Sequence, residues 1–204
     1  MPKPACDPAL HPHGENQRTR TASTITDVLQ PRNVLLDGLV GLGFATTRSL
    51  SGAAWGLFAT LCAGIVPASY IQWVRRRGTW GDRHVVDRRQ RPRIFAVILA
   101  SIGVGSTVMI LANAPTGVLT AMIALWLMTV VLLTVNSVWK ISVDSAVASA
   151  VASMLVVHSP VWLLAFTLVV AVCWSRVALT YHTVAQTVAG ASLGVATAGV
   201  FALQ

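Results

Sequence analysis

Long apolar stretches separated by short polar connections dominate the chain from residue 52 onward. A membrane-spanning helix needs about 20 predominantly apolar residues, with a range of about 17 to 25. Five of the six stretches meet this length, and 144–158 reaches it only if its helix begins near Lys140 and ends at the turn Ser159-Pro160. No alternating pattern of barrel strands occurs, so the fold class predicted is all-α, a polytopic membrane bundle of about six transmembrane helices. The stretches cover 52–74, 94–113, 117–138, 144–158, 161–179 and 183–203.

The N-terminal quarter has a different pattern. Residues 1–32 are polar and rich in Pro, Thr and Arg, which predicts a disordered tail. The next apolar run, 33–47, is short and contains Asp37, so segment 33–51 is expected to form an amphipathic or re-entrant helix rather than a span. Residues 52–204 then form the transmembrane bundle.

Composition excludes two broad classes of protein. Hydrophobic residues make up 54% of the 204 residues and charged residues 11%, and the mean hydropathy is +0.67. Soluble domains carry about 25% charged residues, and nucleic-acid binders carry many more Lys and Arg than this chain. The sequence therefore predicts a multi-pass protein of the cell membrane that contacts membrane lipids and does not bind nucleic acid. The sequence does not indicate an oligomeric state.

The formal net charge of +8 is concentrated in one part of the chain. Of the 22 charged residues, 19 lie at or before Arg93, and the last 111 residues hold only Lys140, Asp144 and Arg176. Charges inside the hydrocarbon are costly, so those that occur there are candidates for function. Two spans separate 75–93 from Lys140–Asp144, and two more separate that cluster from Arg176. An even number of crossings brings all three clusters to the same membrane face, where Arg91, Lys140 and Arg176 would form one anion-binding pocket.

The residues of these clusters resemble the three motifs of the type 2 phosphatidic acid phosphatase superfamily, which also includes the vanadium haloperoxidases. These motifs read K-x6-R-P, P-S-G-H and S-R-x5-H-x3-D. The third matches best, from Ser175-Arg176 through His182 to Gln186. Arg91-Pro92 matches the first, with His84 at its lysine position. Ser142 matches the second, with Asp144 at its histidine position. The resemblance covers about residues 80–200.

The resemblance implies a role for each matched residue. His182 would be the nucleophile that forms a phosphohistidine, Gln186 would occupy the position that orients it, and Asp144 would occupy the position of the general acid. The anion would be held by the remaining cationic and hydroxyl side chains, which are His84, Arg91, Lys140, Ser142, Ser175 and Arg176. The implied substrate is a lipid or isoprenoid phosphate or diphosphate, and no cofactor or metal is needed.

Two departures from the motifs leave other functions open. Asp144 beside cations would be ionised and a poor proton donor, and the amide of Gln186 stabilises a positive imidazole less well than a carboxylate does. The first hypothesis remains a phosphatase. The second is an enzyme that ionises an isoprenoid diphosphate, with Mg²⁺ on Asp144 and a carbocation stabilised by Trp73, Trp80, Trp139 and Trp174; the simpler interpretation of these Trp residues is an interfacial aromatic belt. The third is an inactive relative that binds a lipid phosphate.

Overall fold

The computed structural model describes residues 17–77 and 91–203. Within these ranges all regular structure is helical, as the sequence predicts. The helices are α1 (Gln17–Val28), α2 (Pro31–Thr47), α3 (Leu50–Thr60), α4 (Val66–Arg77), α5 (Arg91–Leu111), α6 (Thr116–Val138), α7 (Val143–His158), α8 (Ala165–Ala178) and α9 (Val184–Phe201). The α3 and α4 helices are joined without a break by a π-helical turn, Leu61–Ile65, and a 3₁₀ turn, Pro160–Leu164, leads into α8.

Five helical segments are long and apolar enough to cross a membrane, which indicates a membrane protein. Their outward faces carry large exposed apolar side chains, such as Leu111, Leu164 and Val170, as expected where lipid replaces water as the solvent. The segments are Leu50–Val74, Arg93–Leu111, Thr116–Val138, Pro160–Ala178 and Val184–Phe201.

The α7 helix forms the centre of the bundle. It has only 16 residues, and every residue from Ser145 to Leu155 is buried. The surrounding helices include α2, α8 and α9. Alanine and serine recur along this stretch, and such small side chains let neighbouring helices approach closely. The shortness and composition of α7 therefore follow from its position inside the bundle.

Two glycines of α9 fix its distance from α7. A Cβ added at Gly190 would collide with the carbonyl oxygen of Ser142, and one at Gly194 would collide with the carbonyl oxygen of Ala146. The hydroxyl of Ser149 donates a 2.6 Å hydrogen bond to the carbonyl of Ala191. The N-terminal half of α7 is thereby held against the middle of α9.

The N-terminal segments form two helices. The predicted disordered tail, 1–32, contains the α1 helix, which packs against α8 with Ala22 buried. The segment 33–51, expected to be amphipathic or re-entrant, contains most of α2. The α2 helix packs against α3 and α7 and buries Leu35, Leu39 and Leu42. The charge of Asp37 does not interrupt α2, because this side chain is exposed on the outer side of the helix.

Of the three polar clusters predicted to meet at one end of the bundle, the structure brings the second and third together, and residues that flank the first border the same cavity. Gln72 near the end of α4, Phe95 near the start of α5, Asp144 in the first turn of α7 and Arg176 in the last turn of α8 border one cavity. We call this the site end of the bundle. Of the residues expected there, His84 lies outside the described residues, and only the backbone of Arg91 is described, at the start of α5.

Candidate anion-binding site

The segment before α7 is hydrogen-bonded to the loop before α9 and to the first turn of that helix. The amide of Ser142 donates to the carbonyl of Gln186 at 3.1 Å, and the ammonium of Lys140 donates to the carbonyl of Tyr181 at 2.9 Å. Lys140 is exposed, so its remaining two N–H groups stay available at the surface. The predicted anion ligand therefore also ties two loops together.

Both predicted serine ligands use their hydroxyl groups within the fold. Ser142 is fully buried and is the N-cap of α7, where its oxygen accepts from the amide of Ser145 at 3.3 Å and from the hydroxyl of Ser145 at 3.0 Å. The hydroxyl of Ser175 donates to the carbonyl of Val172 at 2.8 Å inside α8. Neither borders the cavity at the site end.

The buried guanidinium of Arg176 forms an ion pair with Asp144, the residue that the motif resemblance places at the general-acid position. Its Nη2 lies 3.3 Å from Oδ1 of Asp144, and the side chain of Arg176 is 9% exposed. Its Nε has no hydrogen-bond partner. The carbonyl of Arg176 accepts from the amides of both Tyr181 and His182, which places the histidine loop directly over the end of α8.

Hydrogen bonding to one oxygen fixes the tautomer of His182. The side-chain oxygen of Gln186 accepts from the amide of Thr183 at 3.1 Å and lies 3.2 Å from Nδ1 of His182. The hydroxyl of Thr183 accepts from the backbone N–H of Gln186, which completes a capping box at the start of α9. Because the backbone N–H of Thr183 can only donate, the side-chain atom of Gln186 that faces it must be the oxygen. Nδ1 must then carry the hydrogen, and Nε2 of the neutral ring is unprotonated.

The surroundings of His182 favour this neutral form. Burial lowers the pKa of the imidazole below its ordinary value of 6.5, and the positive charge of Lys140 lowers it further. The hydrogen bond to Gln186 and the charge of Asp144 raise the pKa, while Arg176 lowers it, and the net direction is downward. A neutral, oriented imidazole beside cations is the form a nucleophile requires.

A cavity of about 520 Å³ opens at the site end and separates the predicted residues into two groups. Asp144 and Arg176 border it, whereas Lys140, Ser142, Ser175, His182 and Gln186 do not. Its polar rim also includes residues of the N-terminal segment, namely Thr26, Gln30 and Arg32. Leu35, Ile98, Ile102, Leu125, Met128 and Leu132 form much of its apolar wall.

Two features bear on the diphosphate-ionising alternative. Among residues 17–77 and 91–203, no three His, Cys, Asp or Glu side chains group together as metal ligands. Asp144 would be the carboxylate available to Mg²⁺ on the cavity wall. Trp73, Trp139 and Trp174 are exposed and do not border the cavity, which fits an interfacial belt; Trp80 lies outside the described residues.

Some residues of the site could not be found from the motifs. Thr183 is marked by its own signal, the Thr-x-x-Gln spacing of a capping box with Gln186. Thr26 and Arg32 carry no such signal because they lie in a polar segment without apolar periodicity.

No protein-family model, curated protein or solved structure matches the chain.

Proposed function

We propose that the protein is a membrane phosphatase that acts on a lipid or isoprenoid diphosphate, with His182 as the nucleophile. The observation that carries the proposal is the hydrogen bond of 3.2 Å between His182 and Gln186. It leaves Nε2 unprotonated near the cations Lys140 and Arg176. Phosphoryl transfer depends on such alignment and charge neutralisation.

The reaction would proceed in two steps. Nε2 of His182 attacks the terminal phosphorus, and the bond from phosphorus to the bridging oxygen breaks, so that the lipid monophosphate leaves. Water then attacks the phosphohistidine, which releases inorganic phosphate and restores the imidazole. Lys140 and Arg176 would offset the charge on the non-bridging oxygens during both steps.

The ion pair at the general-acid position favours a diphosphate over a monophosphate as substrate. Asp144 is held by Arg176 at 3.3 Å, so it accepts hydrogen bonds rather than giving a proton. An alkoxide leaving from a monophosphate needs such a proton, because it is a strong base. A phosphate leaving from a diphosphate is a much weaker base and departs without protonation.

The proposal includes the finer architecture implied by the family resemblance. The α7 helix would be the sixth crossing besides the five long segments, since its 16 residues extend about 24 Å and are shielded from lipid by the bundle. The six crossings from α3 to α9 would then form the phosphatase-like bundle in the cell membrane. The α2 helix packs alongside them.

Product analysis with farnesyl diphosphate tests the function. The purified full chain should release inorganic phosphate and farnesyl phosphate, and the His182→Ala variant should release neither. The matched control is His158→Ala, because His158 is exposed at the opposite end of α7. An acid-labile phosphoenzyme in the wild type, absent from His182→Ala, would identify the intermediate.

The same assay separates the alternatives. Pyrophosphate together with a terpene alcohol or hydrocarbon would replace the proposal with carbon–oxygen cleavage. Binding of the diphosphate without any product would instead make the protein an inactive lipid-phosphate binder. Phosphate release that persists in His182→Ala would exclude the phosphohistidine.

A further inference from the structure

Two buried polar atoms without hydrogen-bond partners belong to residues on the same cavity wall. They are Nε of Arg176 and the hydroxyl oxygen of Thr26. Arg176 is only 8% exposed. Buried polar groups in native proteins nearly always have a partner, so two unpaired atoms on residues that line one cavity indicate a missing ligand group.

These atoms come from distant parts of the chain that pack together. Thr26 lies on α1 and Arg176 lies in the last turn of α8, and α1 packs against α8. Arg32, at the start of α2, borders the same cavity. Among the described lining residues, Asp144 offsets the charge of Arg176, and Arg32 leaves this end of the cavity with a net positive charge. The polar end therefore favours an anion rich in oxygen acceptors.

The rest of the cavity suits a hydrocarbon chain. Ile98 and Ile102 of α5 face it from one side, and Leu125, Met128 and Leu132 of α6 from another. A volume of about 520 Å³ is within the range of about 300–1,000 Å³ typical of pockets for molecules of drug size. This volume suits one chain rather than the two of a diacyl lipid. The thioether of Met128 can adapt to a flexible ligand.

We infer that the cavity binds one single-chain amphiphile with an anionic, oxygen-rich head. The hydroxyl of Thr26 and Nε of Arg176 donate to the head, and the chain extends along α5 and α6. The N-terminal segment, α1 with the start of α2, is thus part of the binding site. The inference rests on the proposed function only for the phosphate nature of the head. The cavity shares Asp144 and Arg176 with the proposed phosphatase site, whereas His182 lies outside its lining.

Binding of dodecylphosphonate to the purified full chain in detergent tests the head site. The carbon–phosphorus bond of this probe resists phosphatase chemistry, so binding is measured without turnover. Thr26→Val should weaken binding by about tenfold, because a neutral donor to a charged acceptor is lost. The matched control is Thr24→Val, since the hydroxyl of Thr24 is exposed and bonds only to the carbonyl of Arg20 on α1. It should bind like the wild type.

Cavity-filling variants test the chain site. Ala63→Phe and Ala68→Phe place a ring at two positions on the cavity wall, and either should weaken dodecylphosphonate binding by about tenfold or more. Ala100→Phe makes the same change on the exposed face of α5 and should have no effect. Thermal unfolding of each variant identifies one that fails to fold, in which case the other carries the test.

The outcomes distinguish this inference from the proposed function. Unchanged binding in Thr26→Val and in both cavity-filling variants would overturn the inference, even if farnesyl diphosphate is hydrolysed. Equal affinity for methylphosphonate and dodecylphosphonate would overturn the chain site. If these variants lose binding while the wild type binds the probe but releases no phosphate from farnesyl diphosphate, the inference is supported and the phosphatase is rejected.

Discussion

Nδ1 of His182 lies 3.2 Å from the side-chain oxygen of Gln186, and that oxygen is held in place by the amide of Thr183. The start of α9 therefore sets the orientation of the imidazole. The side chain of Gln186 has two roles: it completes the capping box, and it accepts a hydrogen bond from the imidazole of His182. An amide can perform both, because its oxygen can accept two hydrogen bonds.

Replacing Gln186 changes the pKa of His182 in a direction that depends on the substituent. Gln186→Glu keeps the acceptor and adds a negative charge, so the pKa should rise. Gln186→Leu removes the acceptor, and the pKa should fall below its wild-type value, since this hydrogen bond raises it. NMR titration of labelled histidine measures both. Shifts of the same sign in the two variants would contradict the assigned tautomer.

The lowered pKa of His182 makes stability depend on pH. The folded pKa lies below the ordinary value of 6.5, so the unfolded chain binds more protons between these two values. The contribution of His182 to stability is therefore complete above about pH 6.5 and is lost as the pH falls through that window. Thermal unfolding in detergent at several pH values measures this. His182→Asn should flatten the dependence, and an unaltered dependence in this variant would contradict the prediction.

The ion pair between Arg176 and Asp144 predicts asymmetric effects of mutation. Asp144→Asn leaves the guanidinium of Arg176 buried without its counter-ion and should destabilise the protein by about 3 kcal/mol. The double variant Asp144→Asn/Arg176→Met removes both charges and should recover part of that loss. Chemical unfolding of the two variants gives the comparison. A double variant less stable than Asp144→Asn would show that the cation has another partner.

The sequence predicts the helices of the bundle well because each has a continuous apolar run bounded by breakers. The turn at Ser159-Pro160 ends α7, and the run 117–138 matches α6 within one residue. Parity of the crossings then places Asp144 and Arg176 at one end without any knowledge of packing. These features depend only on local composition and on counting.

Features that depend on tertiary contacts could not be predicted in this way. The α1 helix is polar, and it buries Ala22 only because α8 provides a surface. In the sequence, Asp37 interrupts an apolar run. In the helix, the period of about 3.6 residues places Asp37 on the outer side while Leu35 and Leu39 face the core. The matched hydroxyl of Ser142 serves as an N-cap, which a motif at a loop-to-helix junction does not distinguish from a ligand.

Glycine packing between α7 and α9 predicts strong effects of a single methyl group. Gly190→Ala and Gly194→Ala place a Cβ against backbone carbonyls, which cannot move aside, and each should destabilise the protein by about 2 kcal/mol or more. Gly199→Ala is the matched control on the same helix, because nothing lies within 4 Å of its Cβ position. It should stabilise the helix by a few tenths of a kcal/mol or more. Similar melting temperatures for all three would contradict the close contact.

The path of α2 predicts on which sides of the membrane the two ends of the chain lie. Arg32 at its start borders the cavity with Asp144, whereas a Cβ on Gly117, near the start of α6, would contact Thr46 near the end of α2. The helix therefore runs from the site end to the opposite end, and its 17 residues extend about 25 Å. It would add a seventh crossing to the five long segments and to α7, which we propose as the sixth.

An odd number of crossings places reporters fused before Met1 and after Gln204 on opposite sides of the membrane. A surface position for α2 would leave six crossings and place both reporters on the same side. Paired fusions to alkaline phosphatase and to a fluorescent protein distinguish the two cases, because each is active on one side only. A fusion in the connection before Thr116 serves as the control, since this connection lies at the end opposite the site and should report with the C-terminus. Agreement between the two terminal reporters would exclude α2 as a crossing, and the positive rim that Arg32 gives the cavity would then need another explanation.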